Sequence, residues 1–312
     1  MNWKKYLPII GIILFIYILI KVNLMNVLEV IGKADPTLVL ISLLFLFLVI
    51  LPIQTFKWYI IAVFQDIKIP FKEAFKINII SNFYAFITPS KIGGVIRAEY
   101  LKKYTKDKNI GKGLFNFTID KVLDISSVIF MAILFSFVFK DKLDLPLGFF
   151  TAMFLIFVLL ILFFMKKERS KLVLSFFYRK IIPKKMKKQA KLTFNSFYEH
   201  IPKKRYLPFF FLLNIVSWIS IYFIFYIIGL SLGMDISFIY YLAILPIGTL
   251  VAMIPISING LGTREATLIS LFALFNVEAS KAFSMSIIAF FIVGILPSII
   301  AWFFIWGRRK LD

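Results

Sequence analysis

Two short stretches of this chain set arginine, glutamate and clustered glycine into apolar surroundings. Ile87–Leu101 reads ITPSKIGGVIRAEYL and Ile254–Leu268 reads IPISINGLGTREATL. Each carries a proline (Pro89, Pro255) and a small-residue turn (Gly93 and Gly94; Asn259, Gly260 and Gly262). An arginine closely followed by a glutamate comes next (Arg97 and Glu99; Arg264 and Glu265). Proline ends an incoming helix, glycine turns through backbone conformations that other residues resist, and the next helix begins with unpaired N–H groups. Those N–H groups carry partial positive charge and attract anions. A guanidinium adds a planar fork of donors matched to phosphate or carboxylate. The chemistry these residues suit is anion binding, which makes all nine turn, arginine and glutamate positions, Gly93 to Glu265, candidate substrate-binding residues.

A third constellation is FTIDKVLDISSVIF, Phe117–Phe130. Asp120 and Asp124 are four apart and share a helix face, and Lys121 is placed to pair with Asp124. Such carboxylates at membrane depth could carry protons or a cation, so Asp120, Lys121 and Asp124 are candidate coupling residues. The plainer readings stand beside these. The aspartates could form a salt-bridged helix start, Arg264 and Glu265 a structural ion pair, and Arg97 an interface anchor beside Lys102 and Lys103. The glycines could serve close helix packing alone, as could the polar stripes Asn78, Asn82 and Asn214, Ser217, Ser220. His200 has nothing near it to complete a metal site, and cysteine is absent. No P-loop, dinucleotide-binding turn, His-Glu-x-x-His or nucleophile elbow occurs. No metal, cofactor or catalytic activity is expected.

The elements that position these residues are membrane helices. Of 312 residues 61% are hydrophobic and mean hydropathy is +0.90, more apolar surface than one soluble core can hide. The net charge of +21 falls in loops between apolar runs, which is the positive-inside pattern rather than a nucleic-acid-binding surface. An all-α polytopic bundle of about six to eight spans is expected, with crossings near 6–22, 37–64, 114–139, 147–165, 207–230 and 282–306. The basic start followed by an apolar run resembles a signal peptide, but no small-residue cleavage pattern follows and an uncleaved first span is expected. Residues 166–206 hold 14 lysines and arginines against Glu168 and Glu199, and 91–112 are similarly basic. Both are assigned to the cytoplasm with the two termini.

That count closes only if 71–94 and 237–277 each enter the membrane and return to the side they left. The two motifs would then be re-entrant hairpins of opposite orientation, an inverted repeat of the transporter kind. Two full crossings over 237–277 would leave the same end points. The organisation expected is a membrane half (1–165), a basic cytoplasmic loop (166–206) and a second membrane half (207–312). Apolar residues alternate with lysines over 170–200, a pattern that lies on an anionic membrane surface or, given Pro183 and Pro202, forms a solvated linker.

At these residues the sequence resembles the transmembrane-region family of lysylphosphatidylglycerol synthases, a flippase-like set of membrane proteins. TPSKIGGVIRAEYL, DKVLD and PISINGLGTREA carry the resemblance, in that order, over nearly the whole chain. Pro89, Gly93, Gly94, Arg97, Asp120, Lys121, Asp124, Pro255, Gly260, Gly262, Arg264 and Glu265 fall on the family's pattern. Asp120 stands where glutamate is usual and Lys121 where arginine is usual, which removes bidentate geometry there. The resemblance implies a multi-pass cell-membrane protein handling lipids, either aminoacylated phosphatidylglycerol or, as in related archaeal proteins found with glycosyltransferases, polyprenyl-phosphate lipids. The namesake synthase activity resides in a soluble domain after the membrane part and is not expected of this sequence. The function expected is a lipid translocase for an anionic or phosphate-bearing lipid. The alternative is a non-catalytic membrane subunit that recruits a cytoplasmic enzyme. An integral transferase is a third reading.

Overall fold

The computed structural model describes residues 7–106, 108–140, 147–164, 166–180, 187–199, 202–254, 257 and 259–309. Pro183, His200 and Pro255, singled out above, lie outside them. All regular structure among the described residues is helical, and they form a polytopic membrane bundle. Four continuous helical rods are long and apolar enough to cross a bilayer: Pro36–Phe64, Gly111–Val138, Leu207–Ser231 and Ala279–Trp306. They match the expected crossings within three residues. A fifth crossing is available if α1 (Leu7–Val22) and α2 (Leu24–Gly32) count as one span, bent by 77°. The bend falls at Asn23, whose φ is 70° and whose side chain accepts from the Met25 N–H.

Two of the rods contain a π-helical turn. Between α3 (Pro36–Phe45) and α4 (Leu51–Phe64) the chain makes a π turn at Leu46–Ile50, and between α14 (Ala279–Phe290) and α15 (Leu296–Arg309) another at Phe291–Ile295. A proline follows each, Pro52 and Pro297. Proline cannot donate to the residue four before it and crowds that carbonyl, and the wider π turn absorbs the mismatch.

Both interrupted apolar stretches fold as hairpins. In the first, α5 (Phe71–Phe86) ends ahead of Pro89, a 3₁₀ turn runs through Pro89–Val95, and α6 (Ile96–Lys102) returns. Thr88 ties the corner, donating to the Tyr84 carbonyl at 2.8 Å and accepting from the Gly93 N–H at 2.8 Å. In the second, α12 (Phe238–Met253) leads through a turn to α13 (Thr263–Ala273). At 1.5 Å per residue these 16- and 11-residue helices reach roughly 24 Å and 16 Å, so α13 cannot cross a hydrocarbon core of about 30 Å alone.

α7 (Gly111–Val138) runs through the middle and packs against α6, α12 and α11 (Leu207–Ser231). One apolar cluster joins the two membrane segments of the chain: Leu46, Ile79, Val128 and Met131 pack with Tyr222, Ile228, Tyr241 and Phe272. By contrast α8 (Leu147–Phe164) leaves Leu155, Ile156 and Leu159 more than half exposed, as a lipid-facing surface would. Within the basic segment lie α9 (Lys167–Lys180) and α10 (Lys187–Phe197). The second docks on the start of α7. A Cβ on Gly111 would sit 2.4 Å from the Thr193 carbonyl, Phe115 and Phe197 rings lie 5.2 Å apart, and Lys112 Nζ is 3.9 Å from Glu199. Residues 187–199 are therefore packed against the bundle, not a free linker.

Candidate functional site

The tips of both hairpins open onto one cavity of about 460 Å³. The first contributes Lys91, Gly94 and Arg97, the second Asn259 and Arg264, and α7 contributes Asp120, Lys121 and Asp124. Lys57 reaches in from α4. The rest of the wall is largely apolar, including Leu46 and Val293 of the two π turns and Trp218, Tyr222 and Phe225 of α11. The two motifs and the aspartate run, distant in sequence, thus face a common space.

Its electrostatics are built from one chain of charges. Asp120 pairs with Arg97 Nη2 at 2.9 Å and with Lys57 Nζ at 3.2 Å. Asp124 pairs with Lys121 at 2.9 Å and with Lys57. Asn214 accepts from Lys57 Nζ at 3.0 Å. Lys57, Arg97, Asp120 and Asp124 are all buried, and burial without partners would cost several kcal/mol per ion. Arg97 is wedged between rings, its Cζ 4.8 Å from the Trp58 centroid and 5.4 Å from that of Phe117. Trp58 is held in turn, donating from Nε1 to Asn78 Oδ1 at 3.1 Å. Arg97 Nε and Asn78 Nδ2 are buried donors with no acceptor among the described residues. Buried donors are rarely left so, and an acceptor supplied from the cavity would satisfy them.

At the second hairpin, Arg264 donates to Glu265 Oε1 from Nε (3.2 Å) and Nη2 (2.9 Å), and its Nε also lies 3.1 Å from Ser286 Oγ. Ser286 Oγ donates to the same carboxylate at 2.7 Å. Glu265 Oε2 accepts from the Gly262 N–H at 2.6 Å. The positive start of α13, expected to face an anion, is thus closed by the chain's own carboxylate. The guanidinium remains at the cavity wall, its Cζ 5.7 Å from the Phe290 centroid.

The remaining candidates stand behind or away from the cavity. Gly93 lets the corner close, since a Cβ there would lie 2.3 Å from the Tyr84 carbonyl. Gly260 has φ 79° and Gly262 φ 86°, in the left-handed region that favours glycine. A Cβ on Gly262 would meet the Gly11 carbonyl of α1 at 2.3 Å. Glu99 is exposed and pairs with Lys102 at 3.2 Å, so it is not the counterpart of Glu265; Arg97 takes Asp120 instead. Two groups were not among the sequence candidates. Lys57 is the single charge in a 29-residue apolar rod, and that isolation was its available signal. Lys91 was counted with the basic cytoplasmic loop, yet it lines the cavity. Among the described residues no group of three or more histidines, cysteines, aspartates or glutamates is placed to hold a metal ion. The arrangement can bind an anion at its cationic wall and apolar matter beside it.

The comparisons with known proteins agree with this architecture. A UPF0104 membrane protein from Pyrococcus horikoshii is 26% identical over 334 residues, covering 99% of this chain and 98% of that protein. The family described as the lysylphosphatidylglycerol synthase TM region matches residues 7–301. The chain belongs to that membrane-protein family.

Proposed function

We propose that this protein translocates an anionic, phosphate-bearing lipid between membrane leaflets. One observation carries the reading: the cavity between the hairpins is lined by Lys57, Lys91, Arg97, Lys121 and Arg264 against Asp120 and Asp124, with apolar side chains on its other walls. An excess of positive charge inside a membrane protein is costly unless an anion enters it. A headgroup phosphate supplies that anion, and the apolar wall suits the start of an acyl or polyprenyl chain. The hairpins, as inverted repeats, would rock against α7 and expose the site to either leaflet in turn. Asp120 and Asp124 compete with the phosphate for Arg97, Lys57 and Lys121, so headgroup binding frees a carboxylate to take a proton. This gives the motion a route to ion coupling.

The test is reconstitution in liposomes with a fluorescent anionic phospholipid or a short polyprenyl phosphate. Loss of outer-leaflet label should exceed that of protein-free vesicles, and Arg264→Ala should slow it by about tenfold, the worth of roughly 1.4 kcal/mol of lost phosphate contact. Equal rates with and without folded protein, for both lipids, would replace this reading with the enzyme-recruiting one.

A further inference from the structure

The excess charge in the cavity has a definite size, and its size discriminates between anions. Lys57, Arg97 and Lys121 share Asp120 and Asp124. Arg264 is matched by Glu265. The Lys91 backbone N–H donates to the Thr88 carbonyl at 3.2 Å, but its ammonium has no hydrogen-bond or ion-pair partner among the described residues and faces the cavity. Five cationic groups therefore meet three carboxylates, an excess of two positive charges when all are ionised.

Lys91 is also oddly placed for a merely solvated lysine. It stands at the tip of the first hairpin with φ 56°, a left-handed conformation that few non-glycine residues adopt. The charges around it come from three other elements: Lys57 of α4, Lys121 and Asp124 of α7, and Arg264 of α13. Three of those four neighbours are cations. Lys91 thus adds to a repulsive cluster that the protein itself does not neutralise, in a partly buried position. A group held this way is stabilised by a ligand bringing more than one negative charge.

We propose that the cavity takes a phosphomonoester dianion, and that Lys91 is the residue distinguishing it from a phosphodiester. The inference rests on the anion-binding reading above and narrows it. A terminal phosphoryl group carries close to two negative charges near neutral pH and three free acceptor oxygens. It matches the excess and offers acceptors to Lys91, Lys121 and Arg264 at once. A phosphodiester brings one charge and two free oxygens, leaving one cation uncompensated. The shared chemistry is a terminal phosphate, whether it arrives on a lipid or free in solution.

The experiment uses the purified full-length chain in detergent at pH 7.5 and measures binding by ligand-dependent thermal shift. The probes are short-chain phosphatidic acid, phosphatidylglycerol with the same acyl chains, and inorganic phosphate. Phosphatidic acid should bind at least about tenfold more tightly than phosphatidylglycerol, in line with one additional compensated charge. The preference should persist in Lys91→Arg and fall to about one in Lys91→Gln. Inorganic phosphate binding as well as phosphatidic acid would uphold the dianion site and remove the lipid reading. Equal binding of the two lipids by wild-type protein overturns the inference and leaves translocation standing. Preference retained by Lys91→Gln overturns the role of Lys91, and binding of none of the three overturns both proposals. Should Lys91→Gln fail to run as a folded species on gel filtration, the wild-type ratio still decides.

Discussion

Lys57 and Asp124 touch each other, yet their removal should have unequal consequences, because the cluster around them is not neutral. Lys57, Arg97 and Lys121 face two aspartates. Asp124→Asn leaves three cations facing one carboxylate in a buried setting, and breaking a buried pair in that way costs about 3–5 kcal/mol. Lys57→Met takes away one excess charge and lets Arg97–Asp120 and Lys121–Asp124 stand as two balanced pairs. Its cost is the lost contacts to Asp120, Asp124 and Asn214, offset by relief of the excess charge, about 1–2 kcal/mol net. Melting curves in detergent should therefore show a clearly larger fall for Asp124→Asn than for Lys57→Met. The reverse order would mean that Lys57 serves mainly to neutralise the aspartates, and that the cavity holds less spare positive charge than the geometry implies. Lys57→Met should also weaken anion binding despite its milder effect on stability.

At the scale of elements, the hairpins were legible because proline and glycine interrupt apolar runs that would otherwise span. What the sequence did not mark was which lysines face the cavity. A lysine seven residues from the end of a long apolar rod looks like one that snorkels to the interface, so Lys57 gave little warning of its inward direction. Lys91 looked like loop charge because sequence alone does not say that the 3₁₀ turn folds back against α5. The π turns had no sequence mark beyond a proline after each. The second hairpin depends on a contact that sequence could not show, the seat of Gly262 against α1. With φ 86° and the Gly11 carbonyl 2.3 Å from where a Cβ would stand, Gly262→Ala must both strain the turn and push α1 away. Left-handed strain alone costs about 1–2 kcal/mol for an alanine, and the backbone clash adds to it. The variant should melt several degrees lower and lose lipid movement. An unchanged melting temperature would show that α1 shifts freely, and that this contact does not hold the turn in place.

For the whole molecule, alternating access depends on which side of the membrane each loop occupies. Positive charge in cytoplasmic loops sets orientation, and here the basic residues gather in 91–112 and 166–206, while the acids of 23–36 and 231–236 equal or outnumber the bases. On that rule the first hairpin is expected to return to the cytoplasm and the second to the outside, so that the ends of each share a side. The chain contains no cysteine, which makes single-cysteine labelling with a membrane-impermeant maleimide free of background. Lys68→Cys and Lys106→Cys, at either end of the first hairpin, should react only when the inner face is opened, as should Lys191→Cys. Asp235→Cys and Asn276→Cys, at either end of the second, should react in intact cells. If positions 68 and 106 label from opposite sides, α5 and α6 together make a full crossing. The opposed pair of hairpins would then be lost, and with it the symmetry that lets one site face either leaflet. Same-side labelling at both hairpins, from opposite faces of the membrane, is the arrangement that alternating access requires.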